Sequence, residues 1–176
     1  YYGYLCDFER NPITIYSHPM KRTITIILLA LSFYGRLAAQ VSYDANMTNI
    51  VKVTYNGTGA ASVVIASNLQ SYVTATVDGG AVSIVQKSTV SASTCGEIIY
   101  QLTGASTNGA FSLEGNYKAT IELHGLSLTN PNGPAVNILN GKRIEIKPIE
   151  GTISTLTDGT STVEDAWKAA LYCKGH

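Results

Sequence analysis

Charge is scarce in this sequence. Only 14% of its 176 residues are Asp, Glu, Lys or Arg, and 12 basic groups balance 12 acidic ones. That balance excludes a basic nucleic-acid binder, and 45% hydrophobic residues exclude a disordered chain. Cysteine is rare too: Cys6, Cys95 and Cys173 show no CxxC spacing and no neighbouring His pair, so they do not form a thiolate metal site. No apolar run reaches the roughly 20 residues that span a bilayer. A GxSxG nucleophile motif is missing, and after residue 40 the only histidines are His124 and His176, which leaves a Ser-His-Asp triad without its nucleophile. The only helix-like stretch, Val163 to Ala170, is too short to build a layer.

What is present is the material of strands and turns. Sixteen Gly stand against five Pro, among abundant Thr, Ser, Val, Ile and Asn, so an all-β chain of one domain is expected. Apolar residues alternate at Val51, Val53 and Tyr55, at Val63 and Ile65, at Val73, Ala75 and Val77, and at Val82 and Ile84. Each set predicts a short strand. Asn56-Gly57, Asp78-Gly79-Gly80, Thr103-Gly104, Asn108-Gly109 and Glu114-Gly115-Asn116 predict the turns between them.

The N-terminal 40 residues read differently. Met20-Lys21-Arg22, the apolar run from Thr23 to Phe33 and the small-residue exit Leu37-Ala38-Ala39 have the order of a signal peptide, so a mature protein beginning at Gln40 or Val41 and exported to the exterior or the cell surface is expected. Residues 1 to 19 precede a suitable initiator Met and read as upstream sequence translated from a misplaced start. No Cys follows the exit, so a lipid anchor is not expected. Removing residues 1 to 39 takes four basic and two acidic groups and leaves 8 against 10, a mildly acidic domain over 41–176. Cys95 and Cys173 then meet an oxidising compartment; two buried, unpaired thiols are expected ahead of a disulfide.

The C-terminal half contains one pattern twice. Ile121-Glu-Leu-His124 is followed by Leu128-Thr-Asn130 and Ala135-Val-Asn-Ile138, and Ile144-Glu-Ile-Lys147 is followed by Leu156-Thr-Asp158 and Ala169-Ala-Leu-Tyr172. Ile121 and Leu123 match Ile144 and Ile146 at an interval of 23, about one coil of a solenoid. The fold expected is a right-handed single-stranded parallel β-helix, with Ile121 over Ile144 and Leu123 over Ile146 inside. Glu122, His124, Glu145 and Lys147 alternate outward, with Glu122 stacked on Glu145. Asn130 and Asp158 are expected at one corner.

In this order and spacing the chain resembles a bacterial carbohydrate-binding family of calcium-containing, right-handed parallel β-helices with a pectate-lyase-like fold. The residues that carry the resemblance are Ile98-Ile-Tyr-Gln-Leu102 with Gly104 and Asn108-Gly-Ala-Phe111, Gly115-Asn-Tyr-Lys118, Ile121-Glu-Leu-His-Gly125, Leu128-Thr-Asn130, Gly133-Pro-Ala135, Leu156-Thr-Asp-Gly159 and Ala169-Ala-Leu-Tyr172, within a cover of about residues 48 to 176. The resemblance implies binding of acidic plant polysaccharide such as pectin, without catalysis. Such proteins usually continue for several more coils, so either the chain is a fragment or its last coil ends in an open edge at which chains can associate.

Calcium takes six to eight oxygens. Asp158, Glu164 and Asp165 are the densest acidic group after the leader and are the candidate ligands, against an ordinary role as turn and surface acids. Trp167, the only Trp, offers a platform for the apolar face of a sugar or a local core for its loop. Glu122, Glu145 and Arg143 form the remaining candidate sugar site, or a salt-bridged ladder closed by Lys147. Arg143 is the sole Arg after the leader, and a lyase using it is the enzyme alternative; a β-solenoid with no sugar site is the structural one.

Overall fold

The computed structural model describes residues 4–6, 12–14, 40–159 and 169–174. The chain divides into two units, Tyr1–Ala38 and Ala39–His176. In the first, β1 (Tyr4–Cys6) and β2 (Pro12–Thr14) pair antiparallel. The leader expected at residues 20 to 39 lies outside the described residues, as does most of the helix-like stretch from Val163.

The second unit is a β-solenoid of about five turns. Its strands are β3 (Val41–Asp44), β4 (Ile50–Asn56), β5 (Ser62–Ala66), β6 (Val73–Asp78), β7 (Gly80–Gln86), β8 (Ile98–Ser106), β9 (Gly109–Gly115), β10 (Ala119–Thr129), β11 (Val136–Asn140), β12 (Ile144–Pro148), β13 (Thr155–Thr157) and β14 (Leu171–Cys173). The alternating segments seen in the sequence are β4 to β7. One sheet runs β12-β10-β8-β4-β5-β3 and another β14-β11-β9-β7-β6. Every pairing between successive coils is parallel: β4 with β8, β8 with β10 and β10 with β12 on one side, and β7 with β9, β9 with β11 and β11 with β14 on the other. Among the described residues of this unit, the antiparallel pairings, β4 with β5 and β6 with β7, lie in its N-terminal part.

Parallel register turns alternation into columns. Val51, Tyr100, Ile121 and Ile146 stack inside one sheet, and Val82, Phe111 and Val136 inside the other, where Leu171 on the edge strand continues the column but is exposed. Tyr100 and Phe111 meet across the core with ring centroids 6.3 Å apart. Burial pushes the phenols of Tyr55 and Tyr100 well above the ordinary tyrosine range. Each keeps a polar partner: the Tyr55 hydroxyl donates to the carbonyl of Ala110 at 3.0 Å, and the Tyr100 oxygen accepts from Gln86 Nε2 at 3.2 Å.

Three expectations are corrected. Ile121 faces Ile146 and Ala119 faces Ile144, an interval of 25 rather than 23. A shift of two preserves alternation, so the apolar columns survive while the outward neighbours change. Thr103-Gly104 is not a turn: it lies within β8, where Gly104 adopts φ +88° opposite Tyr55. Cys173 is unpaired but exposed, whereas Cys95 is unpaired and buried. Cys173 stacks on Ile138 in an inward column, but β14 is an edge strand, so that column has no further neighbour among the described residues.

Strand β10 serves two sides of the coil. Its pairing with β8 shifts register between His124 and Ser127, where Gly125 has φ +64°. The extra residue inverts the alternation: Ile121 and Leu123 are buried before it, and Leu126 and Leu128 after it. Such a bulge turns the chain without ending the strand. Beyond it, Ser127 to Thr129 pair with β13.

Candidate functional site

The outer face of β4, β8, β10 and β12 collects the polar positions that the inward columns leave over. Lys52 pairs in register with Gln101, Gln101 with Glu122 and Glu122 with Lys147, one residue from each of four parallel strands. Beside this row lie Thr54, Thr103 and His124 on one flank and Ile50, Ile99 and Thr120 on the other. Adjacent strands are about 4.8 Å apart, so the row extends about 14 Å along the solenoid axis.

The middle of the row is held by its own contacts. Gln101 Nε2 donates to Glu122 Oε2 at 3.1 Å, and His124 Nε2 lies 3.1 Å from the same oxygen. Lys147 Nζ stands 3.9 Å from Glu122 Oε1. The Glu122 side chain is only 14% exposed. Burial alone would raise its pKa, but the hydrogen bonds from His124 and Gln101 and the charges of His124 and Lys147 outweigh it, holding the carboxyl below its ordinary range. The Thr103 hydroxyl donates to the carbonyl of His124 at 3.0 Å, tying the flank to the row. Among the described residues, Lys52 has no ion-pair partner and the His124 ring makes no hydrogen bond to a serine or cysteine.

The residues singled out from sequence separate. Glu122 is central. Glu145 is not stacked on it: the interval of 25 sets Glu145 beside Thr120, whose hydroxyl donates to Glu97 Oε1 at 2.8 Å. The expected Glu122-Glu145 pair is thus replaced by Glu122-Lys147, which realises one rung of the salt-bridged ladder. Arg143 is exposed just before β12. With Lys142 and Lys174 it borders a concavity of about 430 Å³ that Ile138 and Ile144 also line. Those isoleucines occupy inward positions, so the concavity continues the core columns and is not the polar face. Asp158 follows β13 as Asn130 follows β10, and the amide of Asn130 donates to the carbonyl of Thr157 at 3.0 Å, so the two do share a corner. Asn130 there serves its own turn, donating to the carbonyl of Pro134 at 2.8 Å. Glu164, Asp165 and Trp167 lie outside the described residues. Among the described residues no three His, Cys, Asp or Glu side chains converge as a metal site.

The pairing of Lys52 with Gln101 is not legible in the sequence. They are 49 residues apart in register, far longer than the coil interval that makes repeats visible, because β5, β6 and β7 intervene. Their signal was the outward parity of their own strands, Val51-Lys52-Val53 and Tyr100-Gln101-Leu102.

Fold and face together define a β-solenoid that presents a row of hydrogen-bonding side chains along its axis. A family model described as "Carbohydrate-binding domain-containing protein" matches residues 78–176. That is more than half of the chain, and the chain belongs to this carbohydrate-binding family. No curated protein and no solved structure matches it.

Proposed function

We propose that the protein is an exported, non-catalytic binder of acidic plant polysaccharide of the pectin type, with calcium assisting retention. The observation that carries the carbohydrate-binding part of this reading is the family match over residues 78–176. The acidic preference is supported by Lys52 and Lys147, which stand at the two ends of the polar row. Glu122, between them, is engaged by Gln101 and His124. A preformed, hydrogen-bonded row on rigid strands suits recognition of a polyhydroxylated chain, because little side-chain freedom remains to be lost on binding. Calcium belongs to the proposal at the corner closed by Asp158, with Glu164 and Asp165 as further ligands. Asp158 is the single described carboxylate of that set, well short of the six to eight oxygens that the ion takes.

Affinity electrophoresis on polygalacturonate, with and without EDTA, tests the reading. Retardation without product is expected, weaker in EDTA. Unsaturated, ultraviolet-absorbing products would replace the binder with a lyase. Absence of retardation on every acidic glycan would leave a structural solenoid. N-terminal sequencing of secreted material is expected to give Gln40 or Val41.

A further inference from the structure

We propose that the row Lys52, Gln101, Glu122 and Lys147 is a linear site for an anionic glycan laid along the solenoid axis, one sugar to each strand, with its acid groups anchored only at the two ends. This rests on the carbohydrate-binding reading and adds the direction, length and charge spacing of the ligand.

The direction follows from the pairing. All three pairings within the row are parallel, so equivalent positions repeat at the strand spacing of about 4.8 Å. A pyranose unit advances a glycan chain by a similar step. A chain lying across the strands therefore meets one side chain per sugar, whereas a chain along a strand would meet outward residues only at every second position. The flank supports the same placement: Ile50 and Ile99 are half-buried beside the Lys52 and Gln101 positions. They offer an apolar strip to the C–H face of a ring whose hydroxyls reach the polar row.

The division of roles follows from the contacts. Gln101 and His124 both engage Glu122 Oε2, which fixes the centre and leaves the carbonyl oxygen of the Gln101 amide without a partner among the described residues. This centre offers acceptors to hydroxyls, and the Glu122 carboxylate opposes a second carboxylate facing it. The ends differ. Lys52 is exposed and has no ion pair among the described residues, and Lys147 is 57% exposed with one contact as long as 3.9 Å. Each can take an anion at little cost to the existing structure. Three strand steps separate them, about 14 Å. The ligand selected is one whose carboxylates face the protein at every third sugar, through neutral or esterified sugars between them or through a third of a turn per sugar.

Size-defined oligogalacturonides of two to six sugars, titrated against the parent protein, Lys52→Ala and Lys147→Ala, test this. The parent is expected to gain roughly tenfold in affinity between three and four sugars, the worth of a second charged hydrogen-bonding anchor. Both variants should lose that step while keeping the parent's melting temperature, since both lysines are exposed. A smooth rise with length, or variants indistinguishable from a parent that polygalacturonate retards, would overturn the linear site and leave the binding reading standing. A parent that no acidic glycan retards would overturn both.

Discussion

At the scale of single residues, Glu122 shows how a buried acid becomes useful. Taking its carboxylate out of water opposes ionisation, and the hydrogen bonds and charges around it more than compensate. Its folded-state pKa therefore lies below the ordinary glutamate value of about 4.3. The stability this contributes is fully present above that value and is lost as pH falls through the lower folded-state one. Glu122→Gln should cost about 1 kcal/mol at neutral pH, because an amide replaces the ionised acceptor of Gln101 and His124. Urea midpoints of variant and parent should converge as pH falls to 3 and below. A gap that stays constant from pH 7 to pH 2.5 would show that the carboxylate charge has no part in it. A second buried arrangement is purely structural. Gln86 Oε1 accepts from Asn140 Nδ2 at 2.8 Å and from the amide of Tyr117 at 3.1 Å, while Gln86 Nε2 donates to Tyr100. These amides satisfy the polar groups that the corner between coils would otherwise bury unpaired.

At the scale of strands, the register between coils decides what the outer face is, and here the sequence was legible only up to parity. The inward parity of Ile121, Leu123, Ile144 and Ile146 is legible because alternation is a property of each strand alone. Their partners lie two residues from the sequence expectation because the turn at Asn140 to Arg143, and not the strand, sets where β12 begins. The corner shared by Asn130 and Asp158 was readable, since both close a Leu-Thr segment that pairs directly. The row that begins at Lys52 was not, since 49 residues and three intervening strands separate Lys52 from Gln101. Gly104 shows the same limit. It reads as a turn signal, yet it sits in mid-strand because the backbone of Tyr55 in β4 approaches so closely that a Cβ would clash with the Tyr55 carbonyl oxygen. Its φ of +88° adds a conformation that other residues rarely adopt. Gly104→Ala should therefore destabilise the protein by about 2–3 kcal/mol, from strain and overpacking together. Equilibrium urea unfolding measures this, and a change within about 0.5 kcal/mol, the range of ordinary surface substitutions, would mean that β4 and β8 can separate there freely.

At the scale of the whole molecule, a solenoid is held coil to coil, and its stability is a chain of nearest-neighbour interfaces. The family match begins at residue 78, but the structure does not divide there. Upstream of it, β4 lies directly on β8, with Val51 against Tyr100 and Val53 against Leu102, and β6 forms a hairpin with β7. Strand β5 then covers β4 in the antiparallel sense, so the stack of parallel coils stops at that end. Val51, Val53, Tyr55, Val63, Ile65 and Leu69 are all buried in this upstream part. At about 1.5–3 kcal/mol for each buried side chain, their loss is comparable with the whole net stability of a domain, about 5–15 kcal/mol. It would also open the edge of β8 and the apolar side chains beside it to pairing with other chains. A fragment of residues 78–176 should therefore lack a cooperative thermal transition and bind a hydrophobic dye, while residues 40–176 melt cooperatively. The fragment also lacks Lys52, so refolding it would not restore the full polar row. A fragment that melts with the same midpoint and sharpness as 40–176 would show that the upstream strands are an appendage, and that the family-matched coils close their own core.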